Sequence, residues 1–135
     1  MTSKAEIVHR FYEDMLNQRR PELADELITP DMTTHDPDAP RGPAAVRRVD
    51  TFMRAGFSDL HYQVEDVISE GDRAAVRWTL TGTHDGDFFG NAPTGRRIET
   101  TGNVIFGFEG DRINEIWAVV DVNRLQRQIG AGRTS

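Results

Sequence analysis

Cysteine is missing from all 135 residues, which excludes disulfide scaffolds, thiolate nucleophiles and cysteine-bound zinc. Long apolar runs are missing too: none approaches the roughly 20 residues of a membrane-spanning helix. The opening residues, Met1 to Glu6, turn polar and charged at once, without an apolar signal core. Basic charge is in deficit, with sixteen Lys and Arg against twenty-two Asp and Glu and a net charge of −6. Such a surface is not drawn to phosphate backbones or anionic lipid. Neither nucleic acid nor membrane is therefore expected as a partner, and a cytoplasmic location is. The doublets Arg19-Arg20, Arg47-Arg48 and Arg96-Arg97 are scattered among acids and read as solvated surface. No His-Glu-x-x-His, calcium loop, phosphate-binding glycine pattern or nucleophile elbow occurs, so no metal and no cofactor is expected.

What is present is an ordered change of period. Ser3 and Glu6 form a capping box ahead of an apolar stripe of Ile7, Val8, Phe11, Tyr12, Met15 and Leu16 at helical spacing. A second helix starts at Pro21, buries Leu23 and Leu27, and stops before Pro30. A third starts near Pro43, carries Val46, Val49, Phe52 and Met53, and ends around Gly56. From Leu60 onward the period is two, and four long strands are expected, the later ones over 98–108 and 113–122. Glu-Gly-Asp-Arg occurs at 70–73 and again at 109–112, and each copy supplies Gly and Asp for a tight hairpin turn. A short helix over 123–129 and a loose tail over 131–135 close the chain. Helices followed by long antiparallel strands specify one α+β domain, residues 1–135 with an ordered core of about 4–130. Val76, Trp78, Leu80, Val104 and Phe106 should face the helices that bear Phe11, Met15, Phe52 and Met53.

Several stretches together resemble the SnoaL-like polyketide cyclase family of the NTF2-like superfamily. They are Phe11-Tyr12-Glu13, Leu27 to Asp31, His35-Asp36-Pro37, Gly82 to Phe88, Pro93 to Arg97 and Gly110 to Trp117, leading to Asp121. The resemblance implies a cone: a curved antiparallel sheet packed on N-terminal helices around a pocket that admits a small hydrophobic ligand. It also implies a homodimer joined through the sheets, here through an outward face carrying Thr79, Thr81, Thr101 and Ile105. The activity implied is a cofactor-independent cyclase doing aldol-type acid/base chemistry on an apolar, aromatic polyketide-like carbonyl compound, as in antibiotic biosynthesis. A hydroxylase, an isomerase and a non-catalytic dimeric ligand-binding module share the scaffold and stay open as alternatives.

Family resemblance places the acid/base aspartate at Asp121. Its neighbours Val119, Val120 and Val122 are apolar, and strict alternation puts it on the face of Trp117. An apolar setting makes a carboxylate a better base, but the same residue can also cap the last helix or pair with Arg124. His35, before Asp36-Pro37, can orient a carbonyl or shuttle a proton, or simply order its loop. His84 has inward parity and is the third catalytic candidate, with a turn-stabilising role as its alternative. His9 and His61 fall on polar faces. Trp117, Trp78, Phe106, Phe52 and Tyr12 can line an aromatic-rich cavity for a flat ligand, or pack as ordinary core. Asp66 has the parity of Val64 and Ile68, which makes it either a buried carboxylate or the mark of a strand bulge.

Overall fold

The computed structural model describes residues 3–130; the tail expected to be loose lies outside them. Ser3 caps the first helix, its hydroxyl accepting the Glu6 amide at 3.1 Å. That helix, α1 (Lys4–His9), runs on over Arg10–Asn17 in a wider π-helical winding. A 3₁₀ turn, Pro21–Leu23, leads into the short α2 (Ala24–Leu27). The long α3 (Pro43–Gly56) has proline in its first turn, where its missing N–H costs nothing.

The strands are β1 (Ile28–Thr33), β2 (His61–Glu70), β3 (Arg73–Thr83), β4 (Arg97–Glu109) and β5 (Arg112–Val120). They form one sheet in the order β1-β5-β4-β3-β2, antiparallel except where β1 runs parallel to β5. Ahead of the four long strands, β1 is thus an edge strand of the sheet. It contains Pro30, which an edge position tolerates because no ladder partner needs its N–H. Both Glu-Gly-Asp-Arg copies turn hairpins, with Gly71 and Gly110 in the left-handed region that glycine adopts freely.

Inward parity holds as expected: Val76, Trp78, Leu80, Val104 and Phe106 are all buried in one core with the apolar face of the first helix. Phe11 meets Phe106 edge-on at 5.3 Å between centroids. Phe52 departs from expectation. It is 46% exposed on α3 and packs on Phe88 and Phe89 of the loop after β3, at 5.4 and 5.2 Å. That loop is clamped to the end of α3 by the Asp85 and Gly86 amides, both donating to the Gly56 carbonyl. A Cβ on Gly86 would lie 1.8 Å from the Ala55 carbonyl oxygen, so only glycine allows this approach.

Asp66 is explained by the bulge. Between the pairs Val64–Trp78 and Asp66–Arg77 the strand carries one extra residue, so Asp66 turns outward to an exposed pair with Arg77. Asp121 is the N-cap of α4 (Val122–Gln128): its carboxylate accepts the Arg124 amide at 2.9 Å, and the residue is exposed. Asparagine caps as well as aspartate, whereas alanine costs about 1 kcal/mol. We expect Asp121→Ala to lower Tm by roughly 3–5 °C, the shift such a loss gives in a domain of this size. Asp121→Asn should melt like the parent. Scanning calorimetry checks this; two variants indistinguishable from the parent would show that the cap contributes no stability.

Candidate functional site

The residues singled out from the sequence fall into separate places. Asp121 sits at the end of β5 with its amide on the Thr101 carbonyl, while the His84 amide binds the Arg96 carbonyl. Four residues of β4 lie between these anchors, a span of roughly 16 Å at the usual strand rise. Asp121 does not line an apolar cavity with Trp117, because β5 pairs Val104 with Ala118 and so turns Trp117 and Val119 to the outer face. Asp121 is exposed and thus lacks the apolar cavity setting expected beside Trp117.

His35 is also on that outer side. Its ring stacks on Trp117 at 4.3 Å and 9°, and its Nε2 lies 3.0 Å from the Glu115 carboxylate. The backbone there is left-handed, with φ 66°, held by the His35 amide donating to the Thr33 hydroxyl. Arg73 lies over the Trp117 ring at 4.9 Å, so this tryptophan is engaged by two neighbours rather than facing a pocket.

His84 is fully buried beside Phe57. Its Nδ1 accepts the Thr94 amide at 3.3 Å and lies 3.0 Å from the Thr94 hydroxyl, which leaves the ring proton on Nε2. Nε2 has no hydrogen-bond partner among the described residues. Phe57 and Phe88 close over this end of the molecule, stacking edge-on at 4.9 Å.

Tyr12, Trp78 and Phe106 are brought together, as core. The Trp78 indole N–H donates to the Tyr12 hydroxyl at 3.0 Å, and Tyr62 packs between them, 5.3 Å from Tyr12 and 5.1 Å from Trp78. Burial, reinforced by the Asp50 charge and opposed by Arg54, pushes the Tyr62 phenol up to about 12. The Tyr12 phenol is raised further, first by burial and then by Tyr62, against the Trp78 hydrogen bond.

Asp50 and Arg54 lead out of this polar thread into a groove of about 200 Å³ between the end of the first helix, α2 and α3. Met15, Leu16, Ala24 and Val46 make its apolar walls. Arg54 donates through Nε to Asp50 at 3.0 Å and through Nη2 to the Leu16 carbonyl. Their side chains are 14% and 28% exposed, and Arg54 is the least exposed partner of any ion pair among the described residues. Arg54 Nη1 is buried without a partner among the described residues. Sequence reasoning missed this pair. The signal was available: Val46, Asp50 and Arg54 recur every fourth residue, so one helical stripe carries an acid and a base beside an apolar residue.

Because the fold favours neutral phenols at Tyr62 and Tyr12, their contribution to stability is complete below the ordinary tyrosine value of 10.0. It is lost as pH rises through the folded value of about 12 for Tyr62. Denaturant melts taken at increasing alkalinity should show the midpoint falling above pH 10.0, with a shallower fall in Tyr62→Phe. A midpoint that stays level to pH 12 would contradict this.

A profile described as SnoaL-like polyketide cyclase matches residues 6–129. Among solved structures the fold is similar to TsrD from Streptomyces laurentii, with TM-score 0.86 and 26% identity over 97% of this chain and 99% of that one. It is similar to IdmH from Streptomyces antibioticus, named as a candidate polyketide cyclase, with TM-score 0.84 and 29% identity over 96% and 100% of the two chains. AclR from Streptomyces galilaeus, named as a candidate hydroxylase, gives 0.82 and 26% over 98% and 89%. No curated protein matches the chain significantly in sequence. With nearly its whole length matched and its curved five-stranded sheet shared with these structures, the chain belongs to the SnoaL-like polyketide cyclase family.

Proposed function

We propose that the chain is an enzyme of the cyclase type that closes a ring in an apolar, polyketide-like carbonyl compound, with the groove between the first helix, α2 and α3 as its site. The supporting observation is the Asp50–Arg54 pair, an ionisable pair set in apolar walls rather than on open surface. An intramolecular aldol closure needs a base at a carbon beside one carbonyl and positive charge where the enolate oxygen forms. Asp50 takes the proton from that carbon. The Arg54 guanidinium, which lines the groove, stabilises the enolate oxygen. The enolate carbon then bonds to a second carbonyl carbon, and Asp50 returns the proton to the new alkoxide. Atoms and charge balance within the substrate, so the step consumes no cofactor. The groove holds only the reacting end of a larger ligand, since 200 Å³ is below the usual range for drug-sized sites.

Asp50→Asn keeps the shape of the side chain and cannot take the proton. In ring closure of poly-β-keto or anthraquinone-type carbonyl compounds, turnover should fall by roughly 10²–10⁴-fold, the usual contribution of a positioned base. Ligand binding and Tm should be preserved. A folded Asp50→Asn protein that turns over as the parent does would sink the assignment.

We further infer that the outer sheet face joins two copies. Ile68, Ala75, Ile105 and Trp117 stand in one cross-strand row, beside a hollow of about 450 Å³. Ile68 and Val119 are 71% and 72% exposed, an apolar face that a two-fold contact would cover. Sedimentation velocity should report a dimer for the parent protein and a monomer for Ile105→Lys; a monomeric parent would refute this contact.

A further inference from the structure

His84 follows β3 directly, and both of its backbone groups are pinned to the returning chain. Its amide donates to the Arg96 carbonyl and its carbonyl accepts the Gly95 amide, each at 2.8 Å. The Thr94 amide can only donate, so Nδ1 of the ring is an acceptor and the ring proton is fixed on Nε2. The Thr94 hydroxyl, itself accepting the Arg96 amide at 3.2 Å, lies beside the same nitrogen and steadies the ring from that side. Nε2–H is therefore a preset donor. It is buried in a residue packed on Phe57, with no hydrogen-bond partner among the described residues. A donor left in that state is costly. Phenylalanine would fill the space without the cost, and asparagine would accept from Thr94 without it. What histidine adds is the second nitrogen.

The loop that covers this end is fastened unevenly. At its base the Asp85 and Gly86 amides hold the Gly56 carbonyl, and the Ser58 amide holds the Asp85 carboxylate. Among the described residues the tip, Asp87 to Asn91, makes hydrogen bonds only within itself: Phe88 with Asn91 in both directions, and the Gly90 amide to Asp87. Aromatic contact joins the tip to the body, Phe88 on Phe57 at 4.9 Å and Phe89 on Phe52 at 5.2 Å. The tip can lift without breaking a hydrogen bond to the rest of the chain. Phe57, which touches both Phe88 and His84, is then open to another flat ring. We propose that this end of the fold is a binding site for an uncharged aromatic carbonyl compound: its ring takes the place of Phe88 on Phe57, and its oxygen accepts from His84 Nε2. One such donor satisfies a carbonyl oxygen, whereas an internal water needs two to four polar partners and Phe57 offers none. A carboxylate would lose its hydration among these rings without a cation to replace it. The donor gave up its own water on folding, so that cost does not recur when the ligand binds. The site is separate from the groove and does not depend on Asp50 acting as a base.

Acetophenone is such a compound, and toluene has the ring without the acceptor. Proton–nitrogen correlation spectra of the full chain, labelled at histidine, read the Nε2 proton of His84 directly. Acetophenone should move that proton downfield in a saturable, millimolar titration, and toluene should give no downfield shift. Two variants separate the ring nitrogens. His84→Asn keeps an acceptor for the Thr94 amide and removes the distal donor. His84→Gln sets an amide donor near the Nε2 position and gives up that acceptor. By titration calorimetry, acetophenone affinity should fall about tenfold in His84→Asn and stay within about threefold of the parent in His84→Gln, whatever the order of their Tm values. A histidine that only steadies Thr94 and its turn predicts the reverse order. The proposal is overturned if acetophenone leaves the Nε2 proton unmoved, as it would with a water fixed there. It is overturned equally if acetophenone does not saturate, or if folded His84→Asn binds it as the parent does. Should His84→Asn not fold, the titrations of the parent with the two probes decide alone. No turnover is read, so the fate of the Asp50 assignment and of this site are settled separately.

Discussion

Trp78 lies over Gly102 on the inner face of the sheet and gives its indole N–H to the Tyr12 hydroxyl of the first helix. A Cβ on Gly102 would come within 2.4 Å of the indole, so the glycine makes the room and the tryptophan fills it. The hydrogen bond is the polar fastening of an otherwise apolar seam, and leaving either partner unsatisfied at that depth would cost about 1–3 kcal/mol. Much of the groove's placement follows from this seating. Helix and sheet held in that register bring Tyr62 against Tyr12. Asn17 then ties the end of the helix to both backbone groups of Tyr62, at 2.8 Å each. Arg54 completes the joint from α3 by donating to the Leu16 carbonyl. The groove is the space left between three helices fastened in this way.

Polar groups here sort by what surrounds them. Asp59 and Asp85 are held below the ordinary carboxylate range for structural reasons. At Asp59 burial works against ionisation, and the Thr83 amide and hydroxyl, with Arg97, outweigh it. At Asp85 the Ser58 hydroxyl and amide do so directly. Both carboxylates tie the start of β2 and the end of α3 to the loop after β3. His35 is spent on Trp117 and Glu115, and Asp121 on the amide of Arg124. The groove differs because its ion pair, Asp50 with Arg54, is set among apolar side chains.

Two other features stand apart from that groove. The outer sheet face leaves Ile68, Ile105 and Val119 exposed, with the Trp117 indole engaged by His35 and Arg73. The His84 end is closed by Phe57 and Phe88, and the turn beside it puts Phe89 in a left-handed conformation with φ 51°. A bulky aromatic there is held by its contact with Phe52 and by the Asp87 carboxylate accepting the Gly90 amide.

Local sequence determined the elements: the Ser3 cap, Pro21 and Pro43 at helix starts, both Gly-Asp hairpins and the inward alternation of Val76, Trp78 and Leu80 are all short-range effects. They are legible because period and turn chemistry act within a few residues. The ordered family stretches likewise made the domain recognisable across nearly its whole length. Tertiary structure decided which face each ambiguous residue took. A bulge at Glu65 sent Asp66 outward, and the register of β5 against β4 placed Trp117 outside. A loop returning across α3 drew Phe52 away from the sheet. The groove was hidden for the same reason. Asp50 and Arg54 are ordinary helix-surface charges in the sequence, and only the packing of three helices turns that surface into a walled groove. Whether a charge meets water or a partner depends on what the rest of the chain puts beside it, and no local pattern carries that information.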